Sequence, residues 1–192
     1  MNVEWMKYLI KKCYIMLDVE KLKQLSSATG LNIITSTGFY VEQSHPDHVN
    51  EASIEELSEF MLKELEEGIE QTNVKAGIIG EIGTSTTITK NEEKVLRAAA
   101  RCHKKGNYPI SIHLANMKGR EGFNVIKILD SEGANLEKVV LCHMDLALDL
   151  FSSASHGNLI MHGNITPIKA LFQKDNGIFL LDWISSTFLR YN

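Results

Sequence analysis

Short apolar runs alternate with helix-like stretches along the chain, and this alternation limits the fold more than any other feature. Strand-like runs stand at Leu31–Tyr40, Ala76–Gly83, Pro109–Leu114, Lys138–His143 and Ile178–Asp182. Between them apolar residues recur three and four apart, the period of a helix with one buried stripe. Asp18 predicts the N-cap of a helix from Val19 to about Ala28, with Leu22 and Leu25 inward and Gly30 as its stop. Ser53-Ile-Glu-Glu56 is a capping box, and Leu57, Phe60, Met61, Leu65 and Ile69 follow it at helical spacing. Further helices are predicted over Asn91–Lys105 and Phe123–Glu132. Alternation at about 30 residues per unit predicts an α/β fold, a parallel sheet with helices packed outside it. A doubly wound sheet and a (β/α) barrel both satisfy the pattern. No Gly-rich nucleotide fingerprint follows any strand.

A chain of 192 residues is long enough for one domain with a real core. The net charge of -4, with no block of Lys and Arg, argues against nucleic acid as a partner. Cys13, Cys102 and Cys142 are too few and too widely spaced for a zinc finger, and they suit a reducing, cytoplasmic compartment. No apolar run approaches the roughly 20 residues that cross a bilayer, so no membrane association is expected. Residues 1–17 are broken by Glu4, Lys7, Lys11 and Lys12 and read as a helix rather than a signal peptide. Residues 151–167 carry two His-Gly-Asn triplets without periodicity and read as irregular.

Three successive strand-like runs each carry one metal-competent side chain near the C-terminal end: Glu81, His113 and His143. In α/β folds this is the end where sites are built. A lone histidine after an apolar run is usually a hydrogen-bonded core residue, and a lone glutamate usually meets an Arg or Lys. Three at equivalent heights leave the alternative of a metal site open. Glu with two His is a known ligand set for zinc that keeps a place for water. Elsewhere, His45 and His48 flank Pro46 in a loop and read as surface residues. His103 stands beside Lys104 and Lys105 and reads as solvated. His156 and His162 fall in the irregular segment. The carboxylates of Glu51–Glu70 read as a solvated helix face. Alternation from His143 points Cys142 into the helix-packing layer.

Several linked motifs resemble one family. Thr37-Gly-Phe-Tyr40 with His45-Pro46, Gly77-Ile-Ile-Gly-Glu-Ile-Gly-Thr-Ser85, Glu92-Glu-Lys-Val-Leu-Arg-Ala-Ala-Ala100, Pro109-Ile-Ser-Ile-His113 and His143-Met-Asp-Leu146 are similar, in this order, to the phosphotriesterase family of the amidohydrolase superfamily. The resemblance covers roughly residues 18–150, and more weakly 168–186. It implies a TIM-type (β/α)8 barrel, of which strands three to seven are expected here, and a two-metal, usually zinc, centre. Glu81 matches the carboxylate that bridges the metals and is the expected catalytic residue. His113 and His143 match the second metal's ligands from strands five and six. A water between the metals would attack an ester, lactone, amide or phosphoester of a small-molecule substrate.

The chain departs from the family pattern in having no His-x-His. Asp182 matches a strand-seven position rather than the last-strand Asp. Residues 1–17 match nothing, and 151–167 look inserted. An incomplete barrel is therefore expected, with self-association through its open edge. Two functions follow from the resemblance. One is a zinc-dependent hydrolase, complemented by another chain or working with one metal. The other is a catalytically inactive remnant, or a metal-binding or interaction scaffold.

Overall fold

The computed structural model describes residues 18–114, 120–142 and 160–161. The helix expected over 1–17, the strand expected at Ile178–Asp182, and His143, His156 and His162 lie outside the described residues. The elements are α1 (Val19–Thr29), β1 (Ser36–Thr37), α2 (Asp47–Glu51), α3 (Ile54–Glu66), β2 (Ile78–Thr84), α4 (Lys90–Gly106), β3 (Ile110–Leu114), α5 (Arg120–Ser131), β4 (Val139–Leu141) and β5 (Ile160–Met161). All five strands are parallel and lie side by side in chain order. A doubly wound sheet reverses its order at a switch point. An unreversed parallel run, with helices between successive strands, is an arc of a TIM-type barrel.

The capping residues do what their sequence suggests. Asp18 accepts from the Lys21 amide, and Gly30 ends α1 at φ 71°. The capping box of Ser53 and Glu56 opens α3, and a second one, Thr89 with Glu92, opens α4. The Leu31–Tyr40 run forms only two residues of strand, Ser36 and Thr37, which pair with Ile78 and Ile79 of β2. Ile160–Met161 extends the sheet beside Val140 and Leu141, inside the stretch that reads as irregular. Two residues of strand carry too little periodicity to be legible.

The register gives the sheet two faces. Ile79, Ile82, Ile110, Ile112, Leu114, Val139 and Leu141 share one core with Leu57 and Met61 of α3, Val95, Leu96 and Ala99 of α4, and Leu129 of α5. The opposite face, a barrel's interior, carries Ser36, Ile78, Glu81, Gly83, Ser111, His113 and Val140. Leu25 does not pack inward as expected: it is 47 % exposed, since Val19 in the first turn is the α1 residue that joins the core. Phe60 is also exposed, its ring at the rim 5.6 Å from that of Phe39.

His103 corrects the expectation of a solvated side chain. It is 2 % exposed, one helical turn beyond the buried Ala99 on the stripe α4 turns to the core. Its Nδ1 donates to the Tyr108 carbonyl at 2.6 Å, and its Nε2 accepts from the Asn135 amide at 3.1 Å. One ring thus ties the turn after α4 to the turn before β4. His103→Ala leaves both backbone groups without that partner, and is expected to cost about 2–4 kcal/mol. Urea unfolding measures this; a loss within error of zero would show that water replaces the ring.

Candidate metal centre

Glu81 reaches the inner face through an irregularity in β2. Ile79 pairs with Ile110 and Ile82 with Ile112, so two residues, Gly80 and Glu81, stand opposite the single Ser111. Such a bulge re-aims the side chains that follow it and is rare in parallel pairs. Strict alternation would turn Glu81 and Ile79 to the same side. The extra residue instead leaves Ile79 and Ile82 in the helix-facing core and gives Glu81 the face of His113. Gly80, at φ 139°, is where the extra residue fits: a Cβ there would lie 2.6 Å from the Ser111 carbonyl oxygen. The Gly80–Glu81 peptide is cis.

His113 lies in register with Gly83, two residues past Ser111 along β3 and so on the same face. Its Nδ1 is 3.4 Å from Glu81 Oε1, and both side chains are mostly buried. The sheet therefore brings together two of the three expected ligands. Among the described residues no group of three His, Cys, Asp or Glu could hold a metal ion, and His143 lies outside them. The Tyr40 ring packs on His113, centroids 4.9 Å apart. The backbone carrying it comes so close to β2 that a Cβ at Gly83 would collide with the Val41 nitrogen and the Tyr40 carbonyl carbon.

His45 also corrects the sequence reading. Rather than lying on the surface, it is half-buried and its Nε2 donates to the Tyr40 carbonyl at 2.8 Å. Its Nδ1 is buried with no hydrogen-bond partner among the described residues. Burial holds the imidazole below its ordinary value, against the opposing pull of that carbonyl and of Glu92. His48 is exposed, as expected, beside Phe39 and Phe60. Cys142 faces the opposite way from the expectation. Leu141 pairs with Ile112 on the helix side, so the next residue turns inward, and Cys142 Sγ sits 3.7 Å from Ser111 Oγ. Parity counted back from His143 misplaces it, because parity counts only within the paired register.

Two further carboxylates, missed in the sequence, are hydrogen-bonded to the strands and loops from the helix side of the sheet. Glu92 is fully buried. It accepts from the Ser85 amide and hydroxyl at 3.0 and 2.6 Å, the Thr89 amide at 3.0 Å and the Glu42 amide at 3.1 Å. The pattern Thr89-Lys-Asn-Glu92 carries the capping-box signal for one of these bonds. Glu64, from the helix face read as solvated, accepts from the Thr37 hydroxyl at 2.5 Å.

These two groups titrate with opposite signs. Burial raises Glu92, but its hydrogen bonds outweigh burial and hold it below the ordinary 4.5. Burial raises Glu64, the Thr37 hydroxyl opposing it and the Glu70 charge adding to it. By linkage, stability from Glu92 is full above pH 4.5 and is lost as pH falls through its lowered value. Glu64 contributes fully below 4.5 and less as pH rises through its raised value. Glu92→Gln is expected to be less stable than wild type at pH 7, the gap narrowing below pH 4.5. Glu64→Gln is expected to be more stable at pH 7, its gain vanishing in acid. Urea titrations at several pH values check both, and parallel curves for either variant would refute its assignment.

No helix among the described residues is long and apolar enough to cross a membrane. The family model of the phosphotriesterase family matches residues 9–159. The N-acetyltaurine hydrolase of Xenopus tropicalis is 39% identical over 131 residues, which are 67% of this chain and 36% of that protein. The chain thus spans about a third of that relative's length. The Escherichia coli phosphotriesterase homology protein, solved with phosphate in its active site, superposes with a TM-score of 0.66 at 35% identity, covering 72% of this chain and 50% of that one. A resiniferatoxin-binding protein of Rhodobacter sphaeroides gives the same TM-score at 34% identity, covering 69% of this chain and 37% of that one. With a family match over residues 9–159, most of its length, the chain belongs to the phosphotriesterase family.

Proposed function

We propose that this chain supplies ligands to the metal centre of a zinc-dependent hydrolase acting on a carboxylic amide or ester. The observation that carries the reading is the meeting of Glu81 and His113 on one face. Two ligands of a single tetrahedral zinc, each about 2.0–2.1 Å from it, stand roughly 3.3–3.4 Å apart. The Glu81 oxygen and the His113 nitrogen are separated by 3.4 Å. That is longer than a good hydrogen bond, and it fits two donors aimed at one point. His143 is the third ligand in this proposal. Bound zinc would supply a water of lowered pKa, near 7. The protein's own part is to hold the carboxylate and the imidazole in place, with the Tyr40 ring restricting how His113 turns. Amide hydrolysis is favoured because the relative from Xenopus tropicalis is named for it.

Zinc titration of the purified chain, followed by turnover assays on acyl amides, esters and lactones, tests the reading. Stoichiometric zinc with turnover supports it. Stoichiometric zinc without turnover favours a metal-binding scaffold, and no zinc under non-chelating conditions overturns both.

A further inference from the structure

We infer that Glu92 is a positioning residue, which holds the Tyr40 ring against His113 from the first turn of α4. A glutamate at this helix position needs one bond to the N-cap amide to complete its capping box. Glu92 makes that bond with Thr89, yet its other three donors come from the two loops that flank the candidate centre. Ser85 follows Glu81 by four residues, and Glu42 follows Tyr40 by two. The start of α4 grips the segment between β1 and α3 twice more. Asn91 donates to the Glu42 carboxylate at 2.6 Å, and Lys94 Nζ to the carbonyls of Val49, Asn50 and Ala52.

Tyr40 is the point on which these restraints converge. Its carbonyl accepts from His45, and the Phe39 carbonyl before it accepts from the Gly83 amide. The Glu42 amide after it is fixed by Glu92. A buried charge with four donors has one arrangement that satisfies them all. A glutamine there must turn its NH2 toward at least one of those donors, so the loop shifts and the ring moves off His113.

The test is read on the zinc-free chain by NMR of the His113 ring C–H resonances, which the Tyr40 ring current displaces. In Glu92→Gln they are expected to move toward their positions in Tyr40→Leu. In Ser85→Ala, which removes one donor and carries the test if Glu92→Gln fails to fold, they move the same way by less. Val125→Ala, a core change in α5, serves as the control and leaves them at wild-type positions. His113 resonances unmoved in both the Glu92 and Ser85 variants, with stability reduced, would overturn the inference and leave Glu92 a structural cap. The zinc arm rests on the function proposed above: Glu92→Gln should weaken zinc binding about tenfold, the low end for residues that orient ligands. A wild type that binds no zinc would overturn the metal reading alone, since the resonances report without it.

Discussion

Gly80→Ala is expected to destabilise the chain by about 3–5 kcal/mol and to take Glu81 off the face it shares with His113. Two costs add at this position. The backbone stands at φ 139°, where a side chain is strained. The added Cβ would lie 2.6 Å from the Ser111 oxygen, 3.0 Å from its Cβ and 3.2 Å from its nitrogen. Two of those atoms are backbone of the adjoining strand, which can move only by opening the β2–β3 ladder. Gly30→Ala separates the costs, because Gly30 also has positive φ but a Cβ added there would meet nothing within 4 Å. It is expected to cost only about 1–2 kcal/mol. Urea unfolding of both variants checks the contrast. If the two cost the same, the close approach to Ser111 is not what holds the bulge.

Zinc binding should respond more sharply still. Glu81→Gln and His113→Ala are each expected to lower zinc affinity by more than about 100-fold, exceeding the usual loss from residues that only orient ligands. Glu81→Gln keeps the side chain's volume and should change stability little, within about 1 kcal/mol, because the 3.4 Å contact to His113 is too long to be a strong hydrogen bond. The double variant should lose little more than either single one, since two ligands of one ion act as a unit. Competition titration with a chelator of known affinity measures all three. Wild-type affinity in either single variant would remove that residue from the centre.

Much of the architecture was legible in the chain. Capping residues Asp18 and Ser53, the stripes of α3 and α4, and the apolar runs of β2, β3 and β4 follow from local chemistry. The misreadings share a cause. Local spacing says which residues lie on one side of an element, but not what covers that side. Leu25 sits at a helical spacing that reads as inward, yet it is exposed. His103 has charged neighbours, yet the stripe four residues apart carries it inward to two backbone partners. Glu92 stands at the start of a predicted helix, and the donors that bury it come from residues as far as 50 positions away.

The sequence by itself determined the class of fold and the chemistry available to it. Alternating periods require strands and helices in turn, and apolar strands require cover on both faces. An acid and histidines at strand ends offer metal-competent groups. Only the tertiary structure decided which of these groups meet. Strand order separated a barrel arc from a doubly wound sheet, a difference that alternation does not encode. Register decided the rest, because a side chain's face depends on how a strand is paired. One extra residue opposite Ser111 turns Glu81 toward His113, and the pairing of Leu141 with Ile112 turns Cys142 to the same side.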